Sequence, residues 1–358
     1  MSEMWRVMDS GLRSAAQNIA LDRALLEARE ADEIASTLRF ARFTPSVLLA
    51  FGQSAAQECD LDYCKAGNVS VQRRLSGGDA VFCDEAQLGW TLYLHQRDVG
   101  ATDMQAVAKR ICHAAAAAIS AGGADARFRA RHDIEVDGRR IGAGGGARDG
   151  DALLYQGILL IDHDVGTMLR ALRMPAGVQS DKAHAAARER FTDLKGVLGG
   201  RADIALVKRN MIAAFESEFG VEFHDGDLSL TEDGRYQSAL AEIATPDWVD
   251  LMRQPAADAP VCAAAHPLAD GVLNASIVYD RTAHRIKQIW FAYDGQVKPR
   301  RMIADLEAAL RDTAVERLER NVRAFFAGRA SAVPALTAGD FVAVVRRALK
   351  LPRVAQNS

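Results

Sequence analysis

A chain of 358 residues is longer than most single domains, so we expect one large domain and a smaller one. Hydrophobic and charged fractions of 49% and 25% exclude a disordered chain, and a net charge of −3 gives no electrostatic basis for binding nucleic acid or a membrane. Five cysteines without a CxxC pair argue against a disulfide framework or a zinc site. Without a signal-peptide pattern or an apolar run of about 18 residues, the sequence predicts a soluble, cytoplasmic protein.

The first half of the chain is predicted to alternate helices with short strands. Residues 14–30 have apolar side chains at helical spacing, and Thr44-Pro45 separates two strands, TLRFARF and SVLLAFG. A short helix in CDLDYCKAG precedes strands in VSVQRRL, DAVFCD and LGWTLYL, and an alanine-rich helix runs from about Met104 to Ser120.

Three further strands are predicted in ARFRARHDIEVDG, RRIGAGG and LLYQGILLI, with a hairpin turn at Asp137-Gly138. Helices follow in DVGTMLRAL and IALVKRNMIAAFESEFG. This mixture of β-hairpins and intervening helices predicts an α+β fold with a largely antiparallel sheet and flanking helices.

The C-terminal part is predicted to fold separately. Residues 224–260 are rich in Asp, Gly and Pro, and we interpret them as a linker region with one helix. Residues 261–358 contain a strand pair, GVLNASIVYD and RIKQIWFAYDG, followed by three amphipathic helices. They are expected to form a small α+β domain.

The segment RRLSGGDAVF, residues 73–82, has the composition of an anion-binding loop. The guanidinium groups of Arg73 and Arg74 can form charge-assisted bonds to carboxylate or phosphate oxygens, and Ser76 adds a hydroxyl. Gly77 and Gly78 let main-chain N–H groups approach an anion closely. The alternative is that SGGD is only a turn between two strands.

A second glycine cluster, residues 142–146, follows Arg139 and Arg140. It lacks the lysine of a Walker loop and the strand–GxGxxG–helix context of a dinucleotide fold. It is either a flexible surface loop or a mobile lid whose arginines meet a bound anion. Because paired arginines stand beside glycines in both segments, we expect the two segments to face each other across an acidic ligand such as a nucleotide.

Other residues are weaker candidates. Cys83 follows an apolar strand and is interpreted as a small core residue. His132-Asp133 is either an acid–base pair or the start of a strand, and His163, at a turn after Asp162, is expected to be solvated. The sequence has no HExxH or GxSxG motif, and no metal site is predicted.

Taken in order, these segments resemble the lipoate–protein ligase A family, within the wider biotin/lipoate ligase fold, over most of the chain. NIALDRALL is similar to the family's N-terminal helix, and RRLSGGDAVFCD to its box of an arginine pair, three glycines, Ala-Val, an aromatic residue and His-Asp. HDIEVDGRRIGAGG and YQGILLI are similar to its Asn-Asp…Gly-Arg-Lys…Gly-Ser-Ala box and its His-Gly strand. ERFTDLKG corresponds to the segment after a functional lysine, here Lys182.

The resemblance implies a catalytic domain in residues 1–223, the linker at 224–260 and an accessory domain in residues 261–358. Family members activate lipoate with ATP and Mg²⁺ to lipoyl-AMP and transfer the acyl group to a lysine of a lipoyl carrier domain. Arg140 takes the position of the family's catalytic lysine, and the apolar wall around Val81 would receive the acyl tail. The other nucleotide- or acyl-binding positions implied are Arg73, Arg74, Ser76, Gly77, Gly78, Asp79, Ala80, Phe82, Asp133, Gly144 and Lys182.

Several positions depart from the family pattern. Asp79 replaces the third glycine of the box, Cys83 replaces its histidine, and Gln87-Leu88-Gly89 replaces Asn-Leu-Asn. Ala143-Gly144-Gly145 replaces Gly-Ser-Ala, and Arg140 replaces the lysine. Arginine keeps the positive charge, but its longer planar group cannot occupy the point of a lysine ammonium. Asp79 beside a triphosphate would be repelled unless a cation bridged the two.

The sequence therefore favours a lipoate–protein ligase-like enzyme that acts on lipoate or another small-molecule carboxylate. Two alternatives stay open. One is an ATP-independent acyltransferase; octanoyltransferase relatives need a reactive cysteine, for which Cys83 is the only nearby candidate. The other is a non-catalytic member that binds a nucleotide, an acyl group or a lipoyl carrier.

Overall fold

An eight-stranded sheet is the framework of the first of two units into which the chain divides, Met1–Phe51 with Glu58–Val249. The structure is a computed structural model, and it describes residues 3–78, 80–100, 104–129, 133–172, 191–252, 261–269, 271–293, 302–310, 313–327 and 336–350. The strands up to Val249 are β1 Glu3–Arg13, β2 Thr37–Phe43, β3 Ser46–Leu49, β4 Ser70–Arg73, β5 Val81–Cys83, β6 Leu88–His95, β7 Ala126–Arg129, β8 Asp133–Val136, β9 Arg139–Asp149, β10 Ala152–Leu159 and β11 Val221–Asp225.

The strand order of this sheet is β11-β1-β2-β6-β10-β9-β8-β7. Strand β1 runs parallel to β11 and β2, and the remaining neighbours are antiparallel. A separate three-stranded sheet, in the order β4-β3-β5, carries the segment 73–82 at the ends of its strands. The sheets confirm the predicted α+β architecture with a largely antiparallel sheet.

Helices cover both faces of the large sheet. The helices between Ala15 and Val249 are α1 Ala15–Glu30, α2 Ala55–Glu58, α3 Leu61–Ala66, α4 Gln96–Val99, α5 Met104–Ala121, α6 Val165–Ala171, α7 Leu194–Val197, α8 Ile204–Phe219, α9 Leu230–Ile243 and α10 Pro246–Val249. Of these, α2 belongs mostly to the second unit. Side chains of α5 and α8 form one core with Leu153 and Tyr155 of β10, whereas α1 and α9 form another with Leu154. Successive side chains of β10 thus point to opposite faces of the sheet, as in any β-strand.

Helix α1 is buried on most sides, not along one stripe, and it carries Asp22, one member of a buried ion pair. Ser14 and Gln17 cap its N-terminus with a capping box. Inside the helix, Asp22 accepts a bond of 2.7 Å from the Arg39 guanidinium, and Asn18 accepts another of 3.0 Å. These contacts explain the polar residues of the NIALDRALL segment, since a buried charge requires a partner.

Two parts of the first unit differ from the sequence-based prediction. The N-terminal residues form β1, which was not predicted, and it pairs with β11, about 200 residues further along the chain. Residues 224–249, interpreted as part of a linker with one helix, do contain a helix, α9, but its Tyr236 and Ile243 pack in the same core as α1. By their contacts these residues belong to the first unit.

The second unit comprises Gly52–Gln57 and Asp250–Ser358. Its elements are β12 Val261–Leu268, β13 Gly271–Asp280, β14 Arg285–Tyr293, β15 Thr313–Ala314, α11 Met302–Leu310, α12 Leu318–Ala327 and α13 Ala338–Ala348. The four strands form an antiparallel sheet in chain order. The predicted strand pair and three helices are present, and β12 is an additional strand. Among the described residues of the whole chain, no helix is long and apolar enough to span a bilayer.

Candidate functional site

Arg73 is completely buried, and its guanidinium binds main-chain carbonyl groups. It donates to Ala50 at 3.1 Å, Phe51 at 2.7 Å, Trp248 at 3.2 Å and Val249 at 2.6 Å. The Trp248 indole N–H donates in return to the Arg73 carbonyl at 2.9 Å. These bonds fasten strand β4 to residues 248–249, so we expect Arg73 to have a structural role and not the anion-binding role that the sequence suggested.

Arg74 is also buried, and it holds the glycine loop in shape. Its guanidinium donates to the Leu48 carbonyl at 2.9 Å, the Ser76 hydroxyl at 3.0 Å and the Gly77 carbonyl at 2.7 Å. Gly78 has φ +98°, in a region where a side chain would be strained. The hydrogen bonds of the buried Arg74 guanidinium therefore fix the shape of this turn.

The structure brings the two glycine segments together. A Cβ atom at Gly145 would lie 3.1 Å from the Gly77 carbonyl oxygen, and one at Gly144 would lie 2.7 Å from the Tyr155 hydroxyl. Residues 142–146 are part of strand β9, paired along their length with β10, so they form neither a surface loop nor a lid. Gly145 lets the loop 76–78 approach the sheet, whereas Gly144 makes room for Tyr155.

On one face of the sheet, Ala143 and Gly145 of β9 and Ile158 of β10 are only partly buried although both strands are inner strands, and so is Val81 in the apolar cluster beside them. We call this partly exposed surface, with the loop 76–78 against it, the glycine cleft. Ala143 lies directly opposite both Ile158 of β10 and Asp133 of β8, so these three side chains share one face. The cleft thus has an apolar wall next to a carboxylate.

Gln156 joins the two sides of the glycine cleft. It lies opposite Gly145 on β10, and its side-chain oxygen accepts a hydrogen bond of 3.0 Å from the Ser76 hydroxyl. The resemblance pointed to this strand but not to this residue. Of the other predicted positions, Ala80 is half-exposed beside the cleft, whereas Phe82 is buried.

Arg140 provides the positive charge at one end of the cleft. Its Nη2 atom is 2.7 Å from an Asp133 carboxylate oxygen, and its guanidinium lies over the Phe191 ring at 5.7 Å from the centroid. The Thr192 N–H donates to the Arg140 carbonyl at 2.9 Å and fixes the main chain there. Because 37% of its side chain is exposed, the guanidinium is accessible to a bound anion.

The cysteines do not supply an exposed nucleophile near the cleft. Burial raises the pKa of Cys83 to about 12, and burial raises that of Cys112, which bonds the Tyr155 hydroxyl at 3.0 Å, to about 11. Cys59 and Cys64 are buried as well, and Cys262 is half-buried in the second unit. Cys83 is therefore the core residue that the sequence indicated.

A polar pair near Arg140 was missed. Gln87 is buried, and its amide nitrogen is 3.2 Å from His163 Nδ1. The His163 ring packs 5.9 Å from the Phe191 ring, so the residue is half-buried and not solvated as expected. The sequence signal was only the change from Asn-Leu-Asn to Gln87-Leu88-Gly89.

Three residues considered from the sequence, Asp79, His132 and Lys182, lie outside the described residues. Within the described ranges, no group of three or more His, Cys, Asp or Glu side chains is arranged to hold a metal ion.

The architecture is that of solved lipoate ligases. A crystal structure of lipoate-protein ligase A bound with ATP superposes with a TM-score of 0.61 at 21% identity, covering 70% of this chain and 98% of that one. LipL1 of P. falciparum in complex with lipoate gives a TM-score of 0.70 at 16% identity, covering 96% of this chain and 99% of that one. The protein therefore has the biotin/lipoate ligase fold predicted by the resemblance.

The family model of the lipoyl protein ligase A/B catalytic domain matches residues 14–216, more than half of the chain, and the chain belongs to this family. Among its relatives, the octanoyltransferase LipM of Moorella thermoacetica is 26% identical over 69% of this chain and 98% of its own length. Lipoate-protein ligase A subunit 1 of Thermoplasma acidophilum is 25% identical over 61% of this chain and 86% of its own. The family thus includes both named ligases and named octanoyltransferases of protein lipoylation.

Proposed function

We propose that this protein is an ATP-dependent lipoate–protein ligase-type enzyme. It would activate lipoate, or a similar carboxylate, as an acyl-adenylate and transfer the acyl group to a lysine of a lipoyl carrier domain. The observation that carries the proposal is the accessible Arg140 guanidinium, held by Asp133 at the end of a cleft with an apolar wall.

The first step joins two anions, so the site must offset their repulsion. The carboxylate oxygen attacks the α-phosphorus of ATP, a new P–O bond forms, and the bond to pyrophosphate breaks. Arg140 would bind the carboxylate or the α-phosphate, and the loop at Ser76–Gly78 would present main-chain N–H groups to the nucleotide. Val81 and Ile158 would bind the acyl chain, which fixes the carboxylate in position for attack.

Mg²⁺ would arrive with the nucleotide. Mg²⁺ takes one or two carboxylates in addition to phosphate oxygens, and Asp133, which also binds Arg140, is a carboxylate on the cleft face that could supply one of them. When bound, Mg²⁺ offsets the charge that accumulates on the phosphates. Lys182 and Asp79 stay proposed nucleotide-binding positions from the resemblance.

The test is a reaction of the protein with ATP, Mg²⁺, lipoate and a purified lipoyl domain. We expect lipoate-dependent pyrophosphate release and a lipoyl adduct on the domain lysine, detected by mass spectrometry. If no carboxylate causes pyrophosphate release, the ligase proposal is wrong.

A second candidate function is ATP-independent octanoyl transfer, which the similarity to octanoyltransferases named LipM favours. An octanoylated acyl carrier would then label the lipoyl domain without ATP. If this reaction succeeds and pyrophosphate is not released, the second candidate replaces the first. Binding of nucleotide or lipoyl domain without either reaction would identify a non-catalytic member.

A cysteine variant separates the two chemistries further. We expect Cys83→Ala to change ATP-dependent transfer by less than about two-fold, because a thiol with a pKa of about 12 is ionised to only about one part in ten thousand at pH 8. Iodoacetamide should modify Cys262 well before Cys83, as measured by peptide mass spectrometry. Loss of transfer in a folded Cys83→Ala protein would contradict this assignment and support the cysteine-dependent alternative.

A further inference from the structure

The activation step proposed above does not use the pair of Gln87 and His163. Gln87 immediately precedes β6 and His163 follows β10, where Leu88 and Leu159 lie opposite each other. His163 and Arg140 both contact the Phe191 ring, at 5.9 Å and 5.7 Å, so the pair is at the Arg140 end of the glycine cleft.

Each member of the pair has one buried polar atom without a hydrogen-bond partner among the described residues. Gln87 is 1% exposed, and within the described ranges neither its Oε1 atom nor His163 Nε2 has a hydrogen-bond partner. A buried polar atom without a partner costs free energy because it has lost its hydrogen bonds to water. Such an atom beside a proposed substrate cleft indicates a ligand that completes its bonding.

The chemistry of the pair is that of a neutral donor and acceptor. Burial lowers the pKa of His163, against the opposing effects of Asp193 and Asp164, so the imidazole is uncharged near neutral pH. The Gln87 amide can bond Nδ1 through its nitrogen or, after a 180° turn that exchanges the two atoms, through its oxygen. When the oxygen accepts from Nδ1–H, His163 Nε2 is an acceptor, and the Gln87 amide nitrogen takes the position of the unpartnered oxygen.

Carboxylates surround the pair. Burial raises the pKa of Asp84, in the turn before Gln87, and Glu85, Asp164 and Asp162 raise it further. Asp162 binds Lys195 at 2.7 Å, Asp164 caps helix α6, and Asp193 accepts from the His163 N–H at 3.4 Å. The cations nearby are Lys195, on the far side of Asp162, and Arg140, across Phe191. This acidic rim would attract an ammonium group to a neutral imidazole.

We propose that His163, held by Gln87, binds the acceptor amine of the transfer step and takes its proton. The proposal rests on the proposed function. The lysine ammonium first gives one proton to His163 Nε2, which leaves a neutral amine. The amine nitrogen then attacks the acyl carbonyl, the N–C bond forms, and the C–O bond to AMP breaks with its electron pair going to the phosphate. The second proton leaves the nitrogen for the released AMP or water, and His163 loses its proton as the product departs.

The test separates transfer from activation by supplying a synthetic acyl-adenylate. With a lipoyl domain as acceptor, we expect His163→Gln to slow single-turnover transfer about 100-fold and to remove the rise in rate with pH that the wild type shows as the imidazole loses its proton. Gln87→Ala, which keeps the imidazole but loses its support, should slow transfer about 10-fold. His224→Gln, at an exposed position of β11, is the matched control and should transfer like the wild type.

Hydroxylamine as acceptor distinguishes a proton acceptor from a structural residue, because it is already largely unprotonated at neutral pH. His163→Gln should use it at nearly the wild-type rate. Equal losses with lysine and hydroxylamine, or an unchanged rate with lysine, would overturn the role of His163. If the wild type releases no pyrophosphate but transfers from the synthetic adenylate, the activation step is wrong and the His163 comparison still applies. No transfer by the wild type would overturn both proposals.

Discussion

Replacing Arg140 by alanine is expected to lower lipoate-dependent pyrophosphate release by about 100-fold or more, because the guanidinium is the cation proposed to offset the charge of the carboxylate and the phosphate. The side chain is anchored by Asp133 and Phe191 yet remains accessible. Initial rates with saturating ATP and lipoate measure the effect. Arg139→Ala is the matched control, since Arg139 is the exposed neighbour on β9 and should keep the rate within about two-fold.

Arg140→Lys tests how well arginine serves in the place of the family's lysine. The planar arginine group has separate donors for Asp133 and for a substrate anion. The lysine ammonium is a single compact charge and cannot serve both in that way. A rate above that of the wild type would show that arginine is the poorer group for adenylation. Unchanged rates in both Arg140→Ala and Arg140→Lys would contradict the placement of the active site at this end of the cleft.

Replacing Arg73 by methionine is expected to lower the free energy of unfolding of the first unit by about 3–5 kcal/mol, since it leaves four carbonyl groups of a buried region without their donor. Urea unfolding followed by tryptophan fluorescence measures the change. Arg97→Met is the control: Arg97 is exposed and paired with Asp32, so this variant should unfold at nearly the same urea concentration as the wild type.

The same variant distinguishes the structural role of Arg73 from the anion-binding role first expected from the sequence. If Arg73→Met unfolds like the wild type but no longer binds ATP in isothermal titration, the anion-binding role is correct. Retained affinity for ATP in the remaining folded protein, together with the loss of stability, would support the structural role.

The contrast between Arg73 and Arg74 shows where sequence reasoning succeeds and where it stops. The arginine pair and the glycines identified the segment, and the resemblance placed it in a known fold. The two arginines cannot be told apart in the sequence, however. The carbonyl groups that Arg73 binds include that of Trp248, which is 175 residues away. Burial of this kind depends on tertiary contacts that local composition does not encode.

The pairing of strands, too, was predictable only where the partners are close in the sequence. The pair β13 and β14 was predictable because its two members are adjacent and alternate with period two. Strand β1 was not, because its neighbour β11 follows much later in the chain and its own residues carry no turn signal. His163 resembled a solvated turn residue because the aromatic ring that covers it, Phe191, belongs to a different segment.

The contacts of Arg73 also define how much chain the catalytic fold requires. The family model stops at residue 216, but two of the carbonyl groups that Arg73 binds belong to Trp248 and Val249. Helix α9, which lies between, packs with α1. A fragment that keeps the contacts of the loop beside the cleft therefore extends at least to Val249, beyond the residues that the family model matches.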